Sequence, residues 1–172
     1  MTATSAAPLS LIVIEDSVDD FELILRHIRT LFSDVFAQRV ESAAALAEAL
    51  GAREWSAVLS DHRLPGFSSH DALAIVRART SDLPFVIVSG AIGEDAVVES
   101  MHAGADDFVM KDRLGRLGMV LTRALQNAQA RVRQRKIEAA YQESEARLRA
   151  VASHLPGMMF RIDLRHGRVS FD

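Results

Sequence analysis

The sequence predicts an α/β fold: a doubly wound, five-stranded parallel sheet with helices on both faces. Three observations predict it. Short apolar runs recur five times, each too brief for a helix and dense enough for a strand buried on both sides. The segments between them carry apolar residues at helical spacing. Four of the runs end in side chains able to do chemistry: Glu15-Asp16, Asp61, Ser89 and Lys111.

Ser10 to Ile14 is the first buried strand and runs straight into Glu15-Asp16. Phe21, Leu25, Ile28 and Leu31 then mark one face of a helix, with Asp19 and Asp20 in its first turn, where the positive helix end favours acid. Val35 to Val40 is the second strand, and Ser42 is placed to cap an Ala-rich helix that stops at Gly51. Ala57 to Ser60 is the third strand, ending at Asp61, and Leu64-Pro65-Gly66 is a turn. A helix is expected over Asp71 to Arg79, a fourth strand over Phe85 to Val88, and a helix over Glu94 to His102 with Gly104 as its stop. Asp107 to Met110 is the fifth strand, ending at Lys111.

The last helix begins near Gly115 and meets no breaker until Pro156, far longer than a globular domain needs. Leu117, Leu121, Ala124, Ala128 and Val132 form one apolar stripe. Ile137, Tyr141, Ser144, Leu148, Val151 and Leu155 form another, out of phase with the first, with a stutter near Arg133 to Lys136. An unsupported stripe of this length favours a coiled-coil homodimer through the C-terminal helix. Beyond Pro156-Gly157, Met158 to Asp163 and Arg168 to Asp172 flank a His166-Gly167 turn and read as a β-hairpin. A lone hairpin is marginal in water, so the natural chain is expected to continue.

Composition sets the bounds. Of 172 residues, 49% are hydrophobic, enough for a core, and none is cysteine, which excludes disulfides and thiolate metal sites. No apolar run spans a bilayer, and residues 1–8 lack a signal-peptide pattern and read as a flexible tail, so a cytoplasmic location away from membranes is expected. The net charge of −3 hides a split: residues 1–112 hold 8 Lys/Arg against 18 Asp/Glu, and residues 113–172 hold 12 against 5. Arg113 to Lys136 carries seven basic residues and no acid. It lacks an aromatic platform or a recognition helix, so a solvated helix face is expected rather than binding to nucleic acid.

In a doubly wound sheet, ligands bind beyond the carboxyl ends of the strands. The polar groups at the four strand ends therefore converge on one crevice. Glu15, Asp16 and Asp61 repel one another there, and a hard divalent cation such as Mg²⁺ relieves the repulsion. A carboxylate can attack a phosphoryl donor. Lys111 can pair with phosphoryl oxygens as a point charge, and Ser89 can donate a hydrogen bond to another oxygen.

Glu15-Asp16, Asp61 with Leu64-Pro65-Gly66, Ser89-Gly90-Ala91, Gly104 to Phe108, and Lys111 together resemble the response-regulator receiver domain over roughly residues 9–128. The resemblance implies strand order 2-1-3-4-5 and a phosphoacceptor at Asp61, loaded by a sensor histidine kinase or phosphotransfer protein. It implies Mg²⁺ ligands at Asp16, Asp61, the Arg63 backbone carbonyl and, through water, Glu15. Ser89 and Phe108 match the family's switch pair. Such a domain catalyses only its own phosphorylation and dephosphorylation. Lys111 is followed by Asp112 where the family usually has proline, which leaves that loop's geometry open. His62 and Arg63 are expected to tune phosphoryl lifetime.

Glu143 to Arg149 and Leu155 to Asp163 resemble the entry of a PAS sensor domain. The expected organisation is therefore a tail at 1–8, a receiver at 9–128, a helical linker at 129–155 and a truncated PAS-like start at 156–172. Two other functions fit the residues less well. An Asp-dependent phosphatase needs a second acid two residues after its nucleophile, where this chain has Arg63. A degenerate receiver used only for dimerisation would not need the full set of strand-end groups.

Overall fold

Continuous burial on both faces makes the central strands. The computed structural model describes residues 8–90, 94–153, 160–163 and 168–171. Strands β1 (Leu9–Ile14), β3 (Ala57–Ser60) and β4 (Phe85–Ser89) are buried at every position. Strands β2 (Val35–Val40) and β5 (Asp107–Met110) are only partly buried and form the edges. All five pair in parallel, in the order β2-β1-β3-β4-β5. This is the expected 2-1-3-4-5 order.

Successive strand residues point to opposite faces, and two cores result. Ile12, Ile14, Val58, Phe85 and Ile87 pack on one side with Leu46 and Ala49 of α2 (Ala43–Ala52) and Leu73 and Val76 of α3 (Ser69–Arg79). Leu11, Val13, Leu59, Val86 and Val88 pack on the other side with Ile24 and Ile28 of α1 (Val18–Arg29) and Leu117 and Leu121 of α5 (Leu117–Ser153). Helix α4 (Glu94–His102) joins β4 to β5.

Side-chain caps fix where three helices start. Ser17, Ser42 and Ser68 each accept a hydrogen bond from the third backbone N–H of the helix that follows. Ser68 and Asp71 form a reciprocal capping box, so α3 starts at Ser69, two residues before the expected Asp71. Around Pro65-Gly66, Arg63-Leu64 pairs antiparallel with Phe67-Ser68. Gly66 turns there at φ +70°, and Gly104 ends α4 at φ +104°, a region that costs a side chain with a Cβ.

Two expectations are corrected. Leu31 is not on the buried face of α1, which ends at Arg29 with Thr30 as its C-cap; Ile24, Leu25 and Ile28 make that face, and Leu31 is exposed. The last helix does not begin as an α-helix near Gly115. A 3₁₀ segment spans Lys111–Arg116, with non-helical backbone at Arg113, and the α-helix proper starts at Leu117.

The chain divides at Arg131 and Val132 into two compact units. The second holds the end of α5 and an antiparallel hairpin of β6 (Phe160–Asp163) and β7 (Arg168–Phe171). The expected His166-Gly167 turn lies outside the described residues. Among the described residues, no helix is long and apolar enough to cross a membrane.

Phe85 is fully buried, so Phe85→Ala is expected to lower unfolding free energy by about 3–5 kcal/mol. Met119→Ala, on the exposed side of α5, should stay within about 0.5 kcal/mol. Urea denaturation monitored at Trp55 reads both.

Candidate functional site

Sheet register assembles the crevice. Ile14 is opposite Ser60, so the next residues, Glu15 and Asp61, leave adjacent strands side by side. The Asp61 N–H donates to the Ile14 carbonyl at 2.8 Å, and the Glu15 N–H to the Val40 carbonyl at 3.0 Å. Ser89 is opposite Met110, which brings Lys111 to the same edge.

Lys111 Nζ donates to Glu15 Oε2 at 2.8 Å, Asp61 Oδ2 at 2.7 Å and Asp20 Oδ2 at 2.5 Å. An ammonium has three N–H donors, and each has a carboxylate. Glu15 keeps 1% of its side chain exposed, Asp61 14% and Lys111 16%. Burial pushes the Glu15 carboxyl above its ordinary range, against the pull of Lys111. Burial alone would lower the Lys111 pKa, but its hydrogen bonds with Asp20, Asp61 and Glu15 outweigh that and hold it above the usual lysine value.

Carboxylate oxygens of Glu15, Asp16 and Asp61 lie within 4.8 Å of one another. This all-oxygen, anionic set fits Mg²⁺, which takes a few carboxylates and keeps its remaining positions for water and phosphate oxygens. The Arg63 N–H reaches back to Asp61 Oδ1 at 3.4 Å. His62 turns its Nδ1 to Ser69 Oγ at 3.1 Å. Ser89 is buried at the end of β4, and Phe108 on β5 is 38% exposed. No peptide bond among the described residues is cis, so Lys111 enters its 3₁₀ turn through trans geometry.

Three contributions were not read from the sequence. Asp20 lies in the first turn of α1, where the helix end already accounts for an acid, and it also holds Lys111. Arg39, on β2, donates to the backbone carbonyls of Glu15 and Asp16 at 2.9 and 3.1 Å and braces the acidic pair. Asp106 accepts from the Phe85 N–H at 2.9 Å, Arg77 at 3.0 Å and Arg131 at 2.9 Å, tying the start of β5 to β4, α3 and α5. An acid between apolar runs gives no sign of such distant partners.

Residues 16–119, more than half of the chain, match the family model described as "Response regulator receiver domain". This chain belongs to that family. The receiver is 35% identical over 72 residues to the response regulator protein FleR of Pseudomonas aeruginosa, a stretch that is 42% of this chain and 15% of FleR. It is 30% identical over 100 residues to the chemotaxis protein CheY of the same species, covering 55% of this chain and 80% of CheY. The chain thus spans less than a fifth of the length of FleR. Among solved structures, the receiver domain of a Pseudomonas aeruginosa sensor histidine kinase, determined with magnesium coordinated in its active-site cleft, has a TM-score of 0.60 at 20% identity, covering 70% of this chain and 99% of that one. At that identity the likeness establishes the fold.

Both raised pKa values make stability fall as pH rises, in two separate windows. Lys111, with its pKa raised in the folded receiver, adds stability below its unfolded value of 10.5 and loses it as pH climbs through the folded one. Glu15 holds its proton more tightly when folded, so stability falls as pH rises from 4.5 through the raised value. Lys111→Met leaves ionised carboxylates facing one another. The expected loss is about 2 kcal/mol at pH 7, below that of a fully buried pair because the site is partly solvated, and under about 1 kcal/mol at pH 4, where Glu15, with its raised pKa, holds its proton. Denaturant midpoints at both pH values test this; equal losses would contradict it.

Proposed function

We propose that this receiver is a phosphorylation switch in which Asp61 accepts a phosphoryl group from the phosphohistidine of a sensor histidine kinase or phosphotransfer protein. The observation that carries the reading is Asp61 itself. It ends a fully buried central strand, 2.7 Å from the Lys111 ammonium and clustered with Glu15 and Asp16. One Asp61 oxygen bonds to phosphorus as the phosphorus–nitrogen bond of the donor breaks and its electron pair stays on the imidazole. Lys111 then turns an N–H to a phosphoryl oxygen, and Ser89 donates to another. Glu15, Asp16, Asp61 and the Arg63 carbonyl would hold Mg²⁺, which supplies positive charge against the phosphoryl oxygens. One solved structure of the same fold, determined with magnesium in its active-site cleft, supports the choice of metal. The domain catalyses its own loading and unloading and no further turnover, in the cytoplasm.

The readout follows from β5. As the Ser89 hydroxyl moves toward the phosphoryl group, the half-exposed Phe108 ring turns inward. The small electrostatic change thereby biases a two-state surface. We assign residues 9–128 to the receiver, 129–155 to a helical relay and 156–172 to the start of a PAS-like domain, with the β6–β7 hairpin as support for the last. Ile137, Tyr141, Leu148 and Val151 of α5 are all exposed, and they fit a homodimer seam between two copies of that helix.

Incubation with a small acyl phosphate and Mg²⁺ should add one phosphoryl mass to the wild-type chain and none to Asp61→Asn. No gain in the wild type, or equal gain in both, overturns the assignment. Leu148→Glu should shift the sedimentation of the full chain toward monomer; an unchanged profile removes the seam.

A further inference from the structure

Of the three carboxylates bonded to Lys111, two also belong to the cation cluster and one does not. Glu15 and Asp61 contribute oxygens to the group that fits a divalent ion, and Asp20 stands outside it. Any cation that draws Glu15 and Asp61 toward itself competes with the ammonium for those two carboxylates. Asp20 is not drawn into that competition. Its place also owes nothing to the pair: Ser17 Oγ caps α1 by accepting from the Asp20 backbone N–H, so the helix start is fixed by a contact in which the Asp20 side chain has no part.

We propose that Asp20 is a positioning residue that retains the Lys111 ammonium in the crevice when a divalent cation occupies the Glu15–Asp16–Asp61 cluster, so that the lysine is poised for the incoming phosphoryl group. The proposal rests on the phosphoacceptor reading for its purpose, but its physical content is a contact that can be measured without phosphorylation. It assigns the first turn of α1 a share in the site that its capping chemistry does not require. Asp19, its neighbour in the same turn, is exposed and makes no contact with Lys111 among the bonds of that ammonium, which makes it the matched control for loss of one negative charge.

The chain has only two lysines, Lys111 and the exposed Lys136, so amine acylation followed by mass spectrometry carries an internal reference. With saturating Mg²⁺, the Lys111 to Lys136 acylation ratio should rise roughly tenfold in Asp20→Asn, the order expected for losing one charge-assisted hydrogen bond. Without Mg²⁺ the rise should be smaller, because Glu15 and Asp61 still hold the ammonium. Asp20→Glu should restore most of the protection, and Asp19→Asn should match the wild type. The loading rate from an acyl phosphate should fall in Asp20→Asn, with no further fall when the same change is made in Lys111→Met. An unchanged ratio in Asp20→Asn, an equal rise in Asp19→Asn, or a rise independent of Mg²⁺ would overturn the proposal. Failure of the wild type to take up phosphoryl would overturn the function instead and leave the acylation result standing.

Discussion

Everything at the carboxyl edge of the sheet is organised around one ammonium group. Glu15, Asp20 and Asp61 come from three separate places in the chain and meet on Lys111 Nζ. Carboxylates so close together, Glu15 and Asp61 among them largely buried, are unfavourable without a positive partner. The arrangement therefore depends on Lys111 arriving at the end of an edge strand, and the sheet register with Ser89 opposite Met110 delivers it. The same constraint explains why the crevice suits a divalent cation: the site carries more negative charge than one lysine neutralises.

Much of this is legible in the sequence. The five strands are short, almost uninterrupted apolar runs, and this is the pattern that burial between two helical layers requires. The Ser42 cap, the Gly66 turn and the Gly104 stop follow from backbone chemistry that acts within a few residues. The convergence of Glu15, Asp16, Asp61 and Lys111 follows from topology, because every parallel strand ends at the same edge.

What escaped has a common physical character. Asp20 and Asp106 are acids whose local setting already explains them, one by a helix end and one by a loop, while their actual partners are 91 residues away at Lys111 and 25 away at Arg131. A periodic pattern reports which face is buried and is silent about which polar groups pair across it. Leu31 illustrates the converse. It continues the helical spacing of Phe21, Leu25 and Ile28, but Thr30 hydrogen-bonds back to the carbonyls of His27 and Ile28 and ends α1 first. The 3₁₀ turn after Lys111 was likewise hidden, since Gly115 reads equally well as a start or a pause.

The ladder bond from Asp61 to Ile14 has a bearing on how this scaffold diversifies. It pins the Asp61 backbone to the buried strand β1, while His62 and Arg63, immediately after it, lie outside the parallel sheet. Substitution at those two positions alters what surrounds the carboxylate without disturbing the frame that presents it. The rim beside Asp61 is therefore free to change its chemical character while the sheet that presents the carboxylate stays the same.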